Sequence, residues 1–283
     1  MAYFLILTNL AVSEEPLSFS WKNSEVVVSE KITKNGSTFT AQYLISSSQN
    51  KSGYLISQTN INVMTFNGQT ISEETKRQSP HLSAAFLVPS IIVDQKGNLI
   101  EIVDFDGYLS QLASFVPDPN YEKMMKSPKI KPLMKLKSVE RWCYWVCNWV
   151  NLDIQSDSPL IETTNIEIAG LKYPQMTKTE YHSQYGGSKN ARIVQRTIAS
   201  NEQFKESIQQ LSKKMLSEFN QKQQRIDDMD ALGDVKQSIV TIALVDPSTL
   251  KPVTVSVETS TSVETPTGVT KQVEKKEFSF NWK

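Results

Sequence analysis

Val253, Val255 and Val257 alternate with Thr254, Ser256 and Glu258, and no other feature of the chain constrains its fold so tightly. A period of two puts the valines on one face of a strand and the polar side chains on the other. The sheet they belong to must therefore be dry on one side and wet on the other. Asn60-Ile61-Asn62-Val63-Met64 repeats the pattern. Runs rich in β-branched and aromatic residues cover 25–33, 38–45 and 54–66, and Lys34-Asn35-Gly36 and 49–53 punctuate them as hairpin turns do. Residues 72–80 are polar and read as a loop. A further hairpin follows, with strands over 88–93 and 99–103 and a turn through 94–98.

Helices interrupt the strands after residue 103. The segment 107–115 reads as a short helix capped by Asp104 or Asp106, and 123–137, rich in lysine, reads as an exposed connector. Ser138 is placed to cap an apolar helix over 139–151. Trp142, Trp145 and Trp149 stand at i, i+3 and i+7 of that helix, hence on one face. Strands return over 164–169, 177–184 and 191–198, with Gly186-Gly187 turning between the last two. Ser200 and Gln203 form a capping-box signature for a helix whose apolar stripe is Phe204, Ile208, Leu211, Met215 and Phe219. Three closing strands cover 237–245, 252–263 and 270–280. The expected fold class is α+β: a large antiparallel meander of about eleven strands, half-barrel-like, covered by two or three helices. Residues 18–283 read as a single domain with pseudo-halves 18–155 and 156–283.

Residues 1–17 carry two readings. Ala11-Val12-Ser13 after the apolar run 4–12 resembles the end of a truncated signal peptide, which implies an exported or periplasmic protein. The alternative is a first strand, which leaves a cytoplasmic location open. No stretch reaches the roughly 20 apolar residues that span a bilayer. Thirty basic residues balance thirty acidic ones, which argues against a nucleic-acid partner, since such a partner demands a cationic excess.

Little chemistry is legible. Two cysteines, Cys143 and Cys147, and two histidines, His81 and His182, match no zinc spacing. Four residues apart on a helix, the cysteines are expected to pack as small hydrophobes rather than form a disulfide. No phosphate loop, Gly-x-Ser-x-Gly elbow or His-Glu-x-x-His run occurs, so no cofactor, metal or catalytic residue is assigned. Asp104-Phe105-Asp106-Gly107 resembles the first motif of haloacid-dehalogenase-type phosphatases, which implies Asp104 as nucleophile and Asp106 as acid/base. Asp227, Asp228 and Asp230 are candidates for that family's distal acids. Tyr108 replaces the family's Thr, however, and the motif follows a hairpin rather than a parallel strand. It also lacks the remaining ligands of a calcium loop. A helix start at Asp104 is the expectation.

The meander over 25–66, the tryptophan helix and the closing strands 237–280 together resemble the half-barrel of bacterial lipoprotein-carrier proteins of the LolA and LppX type. That resemblance implies a non-enzymatic envelope protein that binds a lipid or other apolar ligand between sheet and helices. Trp142, Trp145 and Trp149 are then the ligand-binding candidates, since apolar pockets are typically aromatic-lined; the alternative reading makes them a core plug. A protein-binding module, such as an immunity protein against a secreted toxin, is the second functional reading, and the phosphatase the third.

Overall fold

Period-two alternation of burial marks the central strands of the computed structural model, which describes residues 17–79, 81–116, 118, 120–128, 130–150, 152, 158–168, 171–183, 185–199, 202–218, 233–265 and 268–283. In chain order the strands and helices are β1 (Glu25–Lys34), β2 (Ser37–Asn50), β3 (Gly53–Phe66), β4 (Gln69–Thr70), α1 (Glu73–Gln78), α2 (His81–Ala84), β5 (Ile91–Val93), β6 (Leu99–Ile102), α3 (Phe105–Ser114), α4 (Tyr121–Met125), α5 (Lys131–Ser138) and α6 (Glu140–Trp142). A π-helical turn, Cys143–Cys147, continues α6. Then come β7 (Leu160–Ile168), β8 (Leu171–His182), β9 (Ala191–Ala199), α7 (Glu202–Glu218), β10 (Val235–Asp246), β11 (Lys251–Thr265) and β12 (Gly268–Trp282).

Among the described residues, twelve strands form one antiparallel sheet in the order β6-β5-β3-β2-β1-β12-β11-β10-β9-β8-β7, with β4 folded back on β3. The first and last strands meet in its middle: Val28 pairs with Phe280 and Glu30 with Phe278. The expected α+β class and antiparallel meander are therefore found, and the sheet is open rather than closed. Among the described residues, no helix is long and apolar enough to cross a membrane.

Three local expectations are corrected. Residues 72–80 are not simply a loop, because Ser72 accepts the Thr75 amide and starts the short helix α1. The connector 123–137 overlaps α4 and α5, and it buries Met125 and Ile130, which the lysine-rich composition obscures. Ser138 is the last residue of α5 and does not cap the tryptophan helix. Residues 1–16 of the candidate signal segment 1–17, the cap at Ser200, Phe219 of the predicted helix stripe and the acids Asp227, Asp228 and Asp230 lie outside the described residues.

Side chains of one parity pack beneath α6 and the π turn. Val26, Val28, Tyr43, Ile45, Ala243, Val245, Val255, Val257, Phe278 and Phe280 are buried there. Phe204 on α7, with Ala199 and Val235, forms a smaller cluster beside it. The opposite parity faces away from these helices.

Candidate functional site

The three tryptophans are brought together with the sheet's aromatic residues and are at most 1% exposed. Trp142 crosses Trp21 edge-on at 5.0 Å and donates from Nε1 to the Gly97 carbonyl at 3.2 Å. Trp145 meets Phe278 and Phe280 edge-on at 5.7 and 5.5 Å and stacks on Tyr43 at 6.5 Å. Trp149 donates from Nε1 to the Tyr144 carbonyl at 3.2 Å. Among the described residues, the buried Trp145 Nε1 has no hydrogen-bond partner.

The expectation for the cysteines is overturned, because Cys143 and Cys147 form a disulfide. It rested on regular α-helix geometry, whereas the segment winds as a π turn in which the Asn148 amide reaches the Cys143 carbonyl at 3.1 Å. The wider turn brings residues four apart nearly over one another, with Cα atoms 4.3 Å apart.

Beside the tryptophans the helices carry charge into the core. Glu30 has a fully buried side chain on the apolar parity of β1. Arg141 grips its carboxylate through Nε at 3.0 Å to both oxygens and Nη2 at 2.8 Å, and also donates to the Ala85 carbonyl at 2.5 Å. The Tyr43 hydroxyl donates to Glu30 at 2.8 Å. Burial, reinforced by the Glu30 charge, pushes the Tyr43 phenol well above its usual range. Burial works against the Arg141 charge, but Glu30 outweighs it and the guanidinium stays firmly protonated.

A second chain of ions runs Lys137–Glu140–Lys276–Glu274–Lys34, with contacts of 2.8, 3.0, 3.2 and 3.0 Å. Desolvation opposes ionisation of Glu140, yet Lys276 and then Lys137 overcome it and hold its carboxyl down at about 2.

The opposite face of the sheet holds a hollow of about 570 Å³. Two cross-strand rows make its surface: Ile242–Ser256–Glu277–Lys31–Thr40 and Thr254–Ser279–Ser29–Gln42. Met64 adds an exposed apolar side chain at the β3 end, as Ile242 does at the β10 end. Going from β3 to β10 takes five inter-strand steps, about 24 Å along the sheet at ~4.8 Å each. The fourteen described lining residues all lie on these six strands and, among the described residues, none is on a helix, so the sheet itself forms these walls, bent toward this face.

The bend has a visible cause. Register shifts break β2–β3 pairing at Thr40/Ala41 and Gln42/Leu44, and β10–β11 pairing at Leu244/Val245, while the strands between stay in unbroken register. Bulges bend and twist a strand locally, and here they flank the hollow on both sides. On its floor Lys31 and Glu277 pair at 3.1 Å, and Gln42 donates to Ser29 at 3.0 Å.

Sequence reasoning missed this trough by looking for a ligand space only under the tryptophans. A signal was present. On β10 the residues facing away from the helices include Val240, Ile242 and Leu244, so both parities are apolar. A strand apolar on both faces marks an outer face that is more than an ordinary solvated surface.

The acidic motif is a helix start, as expected. Asp104, in left-handed conformation at φ 44°, accepts the Gly107 amide at 3.1 Å. Asp106 is exposed and held by Lys131 at 2.8 Å. Among the described residues no group of three or more His, Cys, Asp or Glu gathers as metal ligands do. No protein-family model matches the chain, and no curated protein matches it in sequence.

Proposed function

We propose that this protein is a non-enzymatic binding protein that holds a lipid or similar amphipathic molecule in the trough on the face of its sheet opposite the tryptophan helix. The observation that carries this reading is the bent, bulge-flanked hollow of about 570 Å³, with Met64 and Ile242 at its two ends. Its size lies within the range of small-molecule sites, about 300–1,000 Å³. Apolar ends with Lys31, Glu277, Thr and Ser side chains between them suit a ligand that has both an apolar chain and a polar group. The Cys143–Cys147 bridge supports residence in an oxidising compartment such as the bacterial envelope.

The test is titration with a dansyl-labelled fatty acid, together with native mass spectrometry of the purified chain. Binding is expected, weakened about tenfold or more by Ile242→Glu or Met64→Glu with the thermal midpoint held. Val269→Glu, at an exposed position off the trough, should leave affinity unchanged. Absence of both probe binding and co-purified lipid would sink the reading and favour a protein partner.

A further inference from the structure

The Cys143–Cys147 bridge closes a loop of only five residues, so it removes little entropy from the unfolded chain compared with a bridge across a long loop. Its effect is local. Four residues of α-helix climb about 6 Å, whereas these two Cα atoms stand 4.3 Å apart. The bridge and the π winding hold one another in place.

That winding decides where the adjoining hydrogen bonds go. In an α-turn the Asn148 amide would bond the Tyr144 carbonyl. Here it bonds Cys143 instead, and the Trp149 indole takes the Tyr144 carbonyl. Trp145, inside the bridged segment, is buried with its Nε1 unpartnered among the described residues. Its ring packs on Phe278 and Phe280 of β12 and on Tyr43 of β2. Glu277, Ser279 and Gln42, the sequence neighbours of these aromatics, face the trough on the other side of the sheet. The disulfide thus stands behind the trough with one tryptophan and one layer of backbone between them. Both cysteines are partly exposed, so a reductant can reach them.

We propose that Cys143–Cys147 is a reversible redox site whose reduction by a dithiol loosens the seat of Trp145 and lowers the trough's affinity for its ligand. The affinity half of this rests on the trough being the binding site. In the exchange, a thiolate of the dithiol attacks one sulfur and breaks the S–S bond, giving a mixed disulfide. The second thiol of the reductant then closes its own disulfide. Two electrons and two protons end on Cys143 and Cys147 as thiols. The freed turn is able to rewind as α-helix, returning the Tyr144 carbonyl to the Asn148 amide and displacing the Trp149 indole.

The test takes the full chain oxidised and after dithiothreitol, with thiols counted by alkylation, and follows hydrogen exchange, tryptophan emission and dansyl–fatty acid affinity. Reduction should speed exchange of the amides over 254–256 and 277–279, shift the emission and weaken the probe about fivefold or more. The double variant Cys143→Ser/Cys147→Ser should reproduce this without reductant and ignore dithiothreitol. Complete reduction with unchanged exchange at those amides overturns the proposal. So does global unfolding on reduction, seen by circular dichroism, which would make the bridge a staple. If the oxidised chain binds no probe, the binding reading fails on its own, and the exchange data still decide the redox site.

Discussion

Glu30 and Lys31 are neighbours on one strand and live in different solvents. Glu30 points into the helix-covered face, where its side chain has no exposure and Arg141 and Tyr43 satisfy it. Lys31 points into the open trough, half exposed, and pairs with Glu277, itself about one-third exposed. The separations are similar, 2.8 and 3.1 Å, so distance does not distinguish the two pairs. Solvent does: water screens the outer pair and stands ready to replace either partner, while the inner pair has no substitute for a lost charge. The same contrast holds for the faces as a whole. The inner one is filled with aromatic rings, and the outer is a concave surface of mixed polarity.

The largest effect should come from breaking the inner pair. Glu30→Ala leaves a buried guanidinium without its carboxylate and is expected to cost about 3–5 kcal/mol, read as a fall in the urea midpoint. The double variant Glu30→Leu/Arg141→Met removes both charges and should recover most of that loss. A single-variant cost below about 1 kcal/mol would show that the inner site is as wet as the outer, erasing the contrast.

How much of this was readable beforehand follows from the physics of each feature. The strands were legible because the period of two in Val253–Val257 or Asn60–Met64 is a local property of the chain. Burial of the tryptophans was legible too, since their spacing puts them on one face. Glu30 could have been noticed as an acid on the Val26-Val28 parity, but its partner lies 111 residues away, and only the tertiary fold says which cation arrives. The disulfide was hidden by the assumption of regular helix; nothing in Cys-Tyr-Trp-Val-Cys announces a π turn. The trough was hidden because curvature comes from bulges such as the one facing Thr40 and Ala41, and a bulge changes pairing between strands without leaving a pattern within either.

A smaller effect tests the border between the two environments. Glu140 is about one-quarter exposed and lies between Lys276 and Lys137. Its folded pKa is about 2, below the ordinary value of 4.5, so the folded state favours the charged form. That stabilisation is fully present above pH 4.5 and is lost progressively as pH falls from there toward 2. Partial solvent contact reduces it, to about 1–3 kcal/mol. Urea midpoints at pH 6 and pH 2.5 should therefore differ less for Glu140→Gln than for the parent chain. Equal acid losses in the two would place this ion chain with the solvent-screened group.

The smallest effect on stability belongs to the outer pair, and there stability and binding should part company. Lys31→Ala removes a screened contact and is expected to shift the unfolding free energy by no more than about 1 kcal/mol. Lys31 is nevertheless a cation on the trough floor, facing whatever polar group a bound amphiphile presents. Affinity for a dansyl-labelled fatty acid should fall a few-fold, and more at low ionic strength than at high, since the charge acts through water. Glu277→Gln, which leaves Lys31 without its opposing carboxylate, should move the same affinity the other way. A loss of several kcal/mol from Lys31→Ala would mean that the trough face is covered by part of the molecule and is not a surface awaiting a ligand.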